Sequence, residues 1–403
     1  MKKISSQQEL NKSTICAQPW FGVVVDSDGF GAVCCEMSES LEGAHVKTHS
    51  FNDFQNHKKV ISIRNQMING EKPLECWRCF EKEEKGSTSQ RQYFNRAFFA
   101  FNDTFDSEKT CAQNIELRLG NLCQLQCFMC SPIRSAKLNE FSKIAFKSFT
   151  EVYPIIPDNY QHLFNWVEDE IIWDKIIDDS VKDSRRIYIN GGEPLLSKLH
   201  MKIIEKIIST DRAKDIILSY STNVFLITQE IIDLWKQFKE VQISLSIDGV
   251  YEKIRYLRYP SDWKQLASKL DLIKNNQSDN LNFSVWCTLS LLNFRYFTEL
   301  FEYFSKNHPK MMVKCRAIQT PSYLSPINLP QELKETEFDK LKSLIIEYHL
   351  EWNTQVTNEF SLIVKSMPDF NHLKQGIKYY LKYADYHKFD LELITQLFPD
   401  LII

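Results

Sequence analysis

Apolar and polar residues alternate along the chain from residue 114 onward in a way that separates short strands from longer helices. Compact apolar runs predict strands near 115–119, 186–190, 215–221, 241–247, 281–289 and 311–318. Apolar residues at helical spacing predict helices near 135–147, 198–209, 228–238, 262–275 and 296–306. Strands that alternate with helices are typical of βα units, so the pattern predicts an α/β fold with a parallel sheet.

The regions on either side of this alternation have different patterns. Before it, apolar runs at 21–25 and 31–33 flank an Asp-Ser-Asp-Gly turn and predict a hairpin, and a helix is predicted around 60–69. After it, three prolines within 321–330 mark a boundary. Beyond that boundary, the helical pattern covers 331–350, 354–366, 370–385 and 390–398. We therefore predict three parts, 1–110, 111–330 and 331–403.

An insertion of uncertain type separates the first two predicted strands of the alternating region. It covers roughly 145–182 and is rich in Trp, Asp and Ile. The sequence leaves open whether this segment covers the end of the sheet or adds a packed helix pair.

Composition narrows the class of protein. The 403 residues are 43% hydrophobic, enough for a sizeable core, and the net charge of −3 gives no basic field for nucleic acid. No apolar run is long enough to span a membrane, and the N-terminus lacks the hydrophobic segment of a signal peptide. Without a secretion signal, eleven cysteines indicate metal or redox ligands rather than disulfides, so we expect a cytoplasmic metalloprotein.

Three cysteines stand together directly after the first predicted strand. Cys123, Cys127 and Cys130 have the spacing C-x3-C-x2-C. Thiolates select zinc or iron–sulfur clusters, and a cubane held by three thiolates leaves one iron open to another ligand. The alternatives are three buried structural cysteines, or a zinc site completed by a distant fourth ligand.

Polar residues follow the next three predicted strands, at the edge where parallel barrels place their chemistry. The second strand runs into Gly191, Gly192, Glu193 and a proline, which could be a tight turn or a close approach to a ligand. The third ends in a Ser-Thr-Asn run, which could equally be ordinary turn chemistry. Alternation along the fourth strand puts polar side chains on one face, which favours a lumen lined for a ligand. The polar residues of these last two strands are Ser221, Asn223, Gln242, Ser244, Ser246 and Asp248.

This order of motifs resembles the radical SAM superfamily. The resemblance implies a partial (β/α)6 TIM-type barrel in which the cysteine triad holds a 4Fe–4S cluster and the open iron binds S-adenosylmethionine. It also implies a 5′-deoxyadenosyl radical that abstracts hydrogen from a substrate. The cofactor-binding residues implied by it are Met129, Gly191, Gly192, Glu193, Ser221, Asn223, Ser244, Ser246, Asp248 and Arg255. For Arg255 a solvated helix face is the alternative.

Five further cysteines lie before the barrel: Cys16, Cys34, Cys35, Cys76 and Cys79. One of the adjacent pair Cys34 and Cys35, together with the other three, would make a four-thiolate site that suits zinc or an iron–sulfur cluster. The arrangement, with a later Glu and a Ser-x-Arg, resembles the SPASM or twitch modules of radical SAM enzymes, here placed before the barrel. That resemblance implies an auxiliary 4Fe–4S cluster in a small α+β module, with zinc as the alternative.

Three functions compete for the whole chain. Resemblance to enzymes with auxiliary modules implies a peptide or protein substrate, and a flavodoxin or ferredoxin as reductant. The second possibility is a radical SAM enzyme acting on a sugar, nucleoside or natural-product intermediate. The third is a non-catalytic zinc or iron–sulfur interaction protein, which the polar residues at the strand ends argue against.

Overall fold

The computed structural model describes residues 2–37, 39–86, 88–147, 149 and 156–397. The α-helices are α1 Gln7–Lys12, α2 Gln18–Phe21, α3 Phe51–Gln55, α4 Lys58–Ile68, α5 Trp77–Glu84, α6 Gln90–Phe99, α7 Asn139–Phe146, α8 Trp173–Lys182, α9 Lys198–Ser209, α10 Gln229–Trp235, α11 Lys253–Leu257, α12 Trp263–Asn275, α13 Phe297–Asn307, α14 Gln331–Glu347, α15 Thr354–Lys365, α16 Phe370–Tyr386 and α17 Leu391–Leu397. The strands are β1 Lys3–Ile4, β2 Gly22–Val25, β3 Gly31–Ala32, β4 Phe105–Asp106, β5 Asn114–Leu119, β6 Gln126–Cys127, β7 Arg186–Gly191, β8 Ile217–Thr222, β9 Glu240–Ser246, β10 Arg258–Tyr259, β11 Leu281–Leu289 and β12 Met312–Ala317.

The chain divides into two compact units, and each is made of several segments. Unit 1 comprises Met1–Gly120, Asn159–Tyr220 and Gln237–Val241. Unit 2 comprises Asn121–Asp158, Ser221–Lys236 and Gln242–Ile403. The predicted division into 1–110, 111–330 and 331–403 stays a prediction.

Unit 1 contains the first half of the parallel strands. Its sheet runs β3-β2-β5-β7-β8, with β2 antiparallel to β3 and parallel to β5. The predicted hairpin is therefore confirmed, but it does not stand apart from the alternating region. All four residues of β2 are apolar or glycine and buried, so the strand hides its backbone and side chains by pairing with β5.

Unit 2 contains the later strands. Strand β11 pairs with β12 in parallel register, and its side chains alternate between buried and more exposed positions, so one face packs on the core. A separate two-residue ladder joins β6 to β10, with Cys127 opposite Arg258. The helical C-terminal part is also confirmed, as α14 to α17.

The predicted fold class, α/β with a partial barrel of parallel strands, is confirmed. The predicted strands and the helices between them are present, with boundaries that shift by a few residues. Within the described residues, β3 pairs only with β2, and β12 pairs only with β11. These two strands are open edges, so the barrel is not closed.

The insertion between β5 and β7 is partly described. Residues 158–172 form short 3-10 turns, and α8 packs on α9, both in unit 1. An apolar face of α9 accounts for its burial, since Leu199, Ile203 and Ile207 recur at helical spacing and are fully buried. Residues 148 and 150–155 of the insertion, and the end of the predicted helix at 398, lie outside the described residues.

Across the ranges given above, no helix combines the length and apolar character needed to cross a lipid bilayer.

Candidate functional site

The loop that carries the cysteine triad lies in unit 2. Cys127 ends β6, the Phe128 N–H donates to the Leu257 carbonyl at 3.1 Å, and the Cys130 N–H donates to the Cys127 carbonyl at 2.9 Å. The ladder and the turn fix the path of the loop between the second and third thiols. Because backbone bonds impose this path, the spacing of the cysteines alone could not have shown it.

The three thiols of this loop lie near one another; Cys127 is buried, and Cys123 and Cys130 are half-buried. Burial raises the pKa of Cys127 to about 12, and proximity to Cys123 adds to the rise. Burial also raises the pKa of Cys130 to about 12, with Cys127 as the next cause. Such thiols are protonated at neutral pH, and a metal or cluster would have to displace their protons. Three soft sulfur donors on one loop fit an iron–sulfur cluster with one open position.

Two side chains donate towards the sulfurs of the triad. The Asn223 Nδ2 lies 3.8 Å from the Cys123 Sγ, and the Asn223 Oδ1 accepts from the Gln124 Nε2 at 2.9 Å. The Arg258 Nη1 lies 3.8 Å from the Cys127 Sγ. Asn223 was among the predicted site residues, and the structure places it beside the triad. Arg258 was not, although it follows the predicted Arg255 by three residues.

The other predicted residues of unit 2 have varied surroundings. Asp248 is buried, and its oxygens engage protein groups, since Oδ1 accepts the Thr288 N–H at 2.7 Å and Oδ2 lies 2.6 Å from the Arg258 Nε. Arg255 is exposed. Met129 is buried within the cysteine loop. Ser221, Ser244 and Ser246 are half-buried, and the predicted alternation along β9 is confirmed. Cofactor contacts of all these residues stay predictions.

Helix α16 supplies an aromatic wall to the triad that the sequence analysis missed. Burial raises the pKa of Tyr379, and proximity to Cys130 adds to this rise. Tyr383 shows the same combination with Cys127. Phe128 of the cysteine loop packs edge-on against Tyr380, with ring centroids 5.3 Å apart. The helical spacing of the three tyrosines, together with a phenylalanine inside the cysteine motif, is the pattern that could have revealed it.

The glycine motif after β7 lies in unit 1 and is shaped by close backbone contact. Gly191 has φ of +122°, and a Cβ at this position would lie 2.7 Å from the Leu119 nitrogen. The Gly192 N–H donates to the Gly120 carbonyl at 3.1 Å. Glu193 is buried, and its Oε1 accepts the Leu195 N–H at 3.2 Å. Gly191 is thus required by the backbone itself, and the predicted cofactor contacts of the motif stay predictions.

Four of the five N-terminal cysteines form a group in unit 1, which we call the four-thiol group: Cys16, Cys34, Cys76 and Cys79. Burial raises the pKa of Cys16 well above its usual value, with further increases from Cys76, Cys34 and Cys79. Burial raises the pKa of Cys76 to about 12, and Cys34 and Cys79 again contribute. The pKa of Cys34 rises to about 11, mainly because of burial and partly because of Cys79.

Backbone amides point at three sulfurs of the four-thiol group. The Gln18 N–H donates to Cys16, those of Glu36 and Met37 donate to Cys34, and the Arg91 N–H donates to Cys79. Amide donors stabilise thiolates, so the donor chemistry of the group suits a cluster or zinc.

Cys35 has different neighbours from Cys34. Burial raises its pKa, and the next causes are Glu116 and then Cys34, while Arg118 lowers it. The strongest electrostatic neighbours of Cys35 thus do not include Cys16, Cys76 or Cys79. These neighbours favour Cys34 over Cys35 as the fourth member of the group, an alternative that the sequence left open.

The Ser-x-Arg segment and the preceding Glu, noted in the sequence, hold this region together. Arg91 is buried and binds the Glu83 carboxylate, with Nε 2.9 Å from Oε1. Its Nη1 also donates to the carbonyls of Ser13 and Ile15, each at 2.9 Å. Ser89 caps α6 and donates to the same Glu83. The guanidinium thus ties the helix that bears Cys79 to the segment that leads to Cys16.

A second buried polar cluster in unit 1 was not predicted. On β5, the Arg118 Nε lies 2.8 Å from the Glu116 Oε1, and Arg118 Nη1 lies 3.0 Å from the Asp26 Oδ2. The Asn190 Nδ2 donates to the same Glu116 oxygen at 3.1 Å. The apolar residues of this strand predicted only a strand, without a polar cluster. The alternating Asn, Glu and Arg within it could have indicated the cluster.

Within the part of the chain that the structure describes, no three Cys, His, Asp or Glu side chains are arranged to hold a metal ion. In an iron–sulfur cluster each thiolate binds its own iron atom, so the ligands need not converge on one ion.

Comparison with known proteins gives one match to a family model and several similar solved structures, two of which are described below. Residues 117–303 match the family model described as the radical SAM superfamily. The structure of anSMEcpe with bound AdoMet and the Cp18Cys peptide is similar, with 17% identity, coverage of 61% of this chain and 62% of that chain, and a TM-score of 0.37. SuiB of Streptococcus suis bound to precursor peptide SuiA has 14% identity, coverage of 87% of this chain and 66% of that chain, and a TM-score of 0.33.

The chain covers 62% of anSMEcpe, which is about three fifths of that protein's length. At these identities and TM-scores, the two likenesses carry no argument about what this chain does. No curated protein matches the sequence.

Proposed function

We propose that the chain is a radical SAM enzyme whose catalytic 4Fe–4S cluster is held by Cys123, Cys127 and Cys130. The observation that carries this proposal is the set of three neighbouring thiols on one loop, within the segment that matches the superfamily. When bound, the cluster and S-adenosylmethionine supply an electron and a 5′-deoxyadenosyl radical, which removes a hydrogen atom from the substrate.

The residues around the triad have distinct tasks in this proposal. The three thiolates hold the group while leaving one position open. Asn223 and Arg258 donate to sulfurs of the triad and orient them. The wall of Phe128, Tyr379 and Tyr383 excludes water on one side, which a radical reaction requires. Cofactor binding by the glycine motif follows from the resemblance.

For unit 1 we propose an auxiliary 4Fe–4S cluster on the four-thiol group, with Cys34 rather than Cys35 as ligand. The neighbours that shift the pKa of each thiol support this assignment. The same donors suit zinc, so the metal content has to be measured.

The substrate that we propose is a peptide or protein, with flavodoxin or ferredoxin as the source of electrons. This step rests on the resemblance of the N-terminal cysteine module, because the peptide-bound structures named above are too dissimilar to support it. Candidate peptides should accelerate the formation of 5′-deoxyadenosine over its rate without substrate.

The test of the catalytic proposal is a measurement of iron, sulfide and zinc after anaerobic reconstitution, with S-adenosylmethionine cleavage assayed in the same samples. We expect about eight irons per wild-type chain and about four in the triple variant Cys123→Ala, Cys127→Ala, Cys130→Ala, which should not cleave the cofactor. About four irons that fall to none, with zinc retained, would identify the four-thiol group as a zinc site. An iron-loaded wild-type chain that fails to cleave the cofactor under strong reductant would refute the enzyme proposal.

A further inference from the structure

A buried arginine of unit 2 bridges a carboxylate and a predicted cluster ligand. The Arg258 Nε lies 2.6 Å from the Asp248 Oδ2, and its Nη1 lies 3.8 Å from the Cys127 Sγ. The Arg258 side chain is 12% exposed, and the Asp248 side chain is fully buried. One guanidinium therefore faces a fixed anion on one side and the sulfur on the other.

The position of Arg258 is set by the backbone as well as by the ion pair. Arg258 pairs with Cys127 in the ladder between β10 and β6. On the next residue, the Phe128 N–H donates to the Leu257 carbonyl at 3.1 Å. The ladder fixes the two backbones opposite each other, so the distance from guanidinium to sulfur does not depend on a flexible loop.

Asp248 is itself held in place. Its Oδ1 accepts the Thr288 N–H at 2.7 Å, and its carbonyl accepts from the Asn293 Nδ2 at 3.0 Å. A carboxylate fixed in this way orients the guanidinium through Nε and leaves Nη1 free to point at the sulfur. Lysine could not make both contacts, because it carries one compact ammonium rather than a planar fork of donors.

We propose that Arg258 is a positioning residue that raises the reduction potential of the cluster held by Cys127, with Asp248 as its anchor. This inference rests on the proposed function. Reduction adds one negative charge beside Cys127 without making or breaking a bond. A fixed cation and a donor to the sulfur stabilise that added charge, and hydrogen bonds and net charge near the thiolates are known controls of cluster potential.

The test is a redox titration of the full reconstituted chain with dithionite, followed by electron paramagnetic resonance. The relevant signal is identified as the one lost in Cys127→Ala. We expect Arg258→Gln to lower the reduced-to-oxidised ratio at a fixed poise about tenfold, a midpoint about 59 mV more negative for one electron. The midpoint potential of Arg258→Lys should lie between those of the wild type and Arg258→Gln, because lysine keeps the charge but loses one contact.

Two further variants keep the test decisive. Arg258→Gln leaves Asp248 buried without its partner and could impair folding, so the double variant Arg258→Gln, Asp248→Asn removes both charges together. The double variant should also titrate at a more negative potential than the wild type, because it lacks the Arg258 donor beside the Cys127 sulfur. Arg316, an exposed arginine of unit 2, provides the matched control, and Arg316→Gln should leave the midpoint unchanged.

The outcomes separate this inference from the proposed function. If the double variant retains its iron and titrates at the wild-type potential, Arg258 does not set the potential and the inference is wrong. If Cys127→Ala removes no signal from the wild-type spectrum, the triad holds no cluster, and both the inference and the proposed function are wrong.

Discussion

The cysteine triad of unit 2 and the four-thiol group of unit 1 hold their sulfurs in different ways. Backbone amides of residues such as Gln18 and Met37 point at the four-thiol group. At the triad, two side chains, Asn223 and Arg258, donate to sulfurs, in addition to the backbone amides of Cys127 and Ser131, which donate to Cys127 and Cys130. Amides come with the local fold, whereas the side-chain donors come from segments far away in the sequence.

This difference corresponds to different coordination. Four thiolates can satisfy every iron of a cubane, or a zinc ion, so the four-thiol group is chemically closed. Three thiolates leave one position open, and an open position is where a cofactor or substrate can bind. The closed group needs only to be held together, whereas the open group gains from neighbours that tune charge and exclude water. We expect mutations to separate these two roles.

The largest expected effect is the loss of one cluster from unit 1 alone. Cys76→Ala should remove about four of the eight irons and leave those of the triad in place, because Cys76 has Cys34 and Cys79 as neighbours. Cys35→Ala is the matched control and should keep all of the iron. Iron and sulfide analysis of the two variants decides the matter. If Cys35→Ala loses iron and Cys34→Ala does not, our choice between the two adjacent cysteines is wrong.

The next largest effect concerns the guanidinium that braces the four-thiol group. Arg91→Ala should destabilise the chain by about 3–5 kcal/mol, because it removes the charged partner of Glu83 and frees three backbone carbonyls, those of Asn11, Ser13 and Ile15. Arg96→Ala, an exposed position on the same helix, should cost less than about 1 kcal/mol. Urea unfolding followed by circular dichroism measures both. Similar losses in the two variants would contradict a bracing role for Arg91.

A smaller effect is expected at the glycine motif, where the backbone strain of a positive φ can be separated from the steric clash of a new Cβ. Gly191→Ala should cost about 2–4 kcal/mol, since it combines a positive φ with a Cβ 2.7 Å from the Leu119 nitrogen. Gly43→Ala has φ of +73° but no atom within 4 Å of the new Cβ, so it should cost only about 1 kcal/mol. Thermal melts compare the two. If the predicted cofactor role holds, only Gly191→Ala should also weaken S-adenosylmethionine binding in calorimetry, with the iron of the four-thiol group unchanged.

Local chemistry was predictable from the sequence, whereas contacts between distant segments were not. The triad, the strand ends and the hairpin follow from spacing and alternation within a few residues. The pairing of β2 with β5 joins segments about ninety residues apart, as the register of Val23 with Ile115 shows, and no local pattern encodes it. The same applies to Arg258, which reaches Cys127 from 131 positions away in the sequence, and to the tyrosines of α16. Cys34 and Cys35 could not be separated because adjacent residues share every local pattern.

The smallest expected effect is a pH dependence of the free energy of unfolding, to which one histidine in each unit contributes because burial lowers its pKa. Burial lowers the pKa of His200 in unit 1 to about 3, and that of the half-buried His387 in unit 2 to about 4, against an ordinary value of 6.5. The unfolded state therefore binds more protons below pH 6.5, so the stability from each neutral ring is fully present above that pH and is lost as the pH falls. For His200 the loss between pH 7 and pH 5 should be about 2 kcal/mol. Water reaches His387, so its effect should be smaller. Urea unfolding at both pH values should give a flatter dependence for His200→Gln than for His387→Gln, measured against the wild type. Equal slopes in all three chains would show that these rings are protonated without cost, and that the packing of neither unit depends on keeping them neutral.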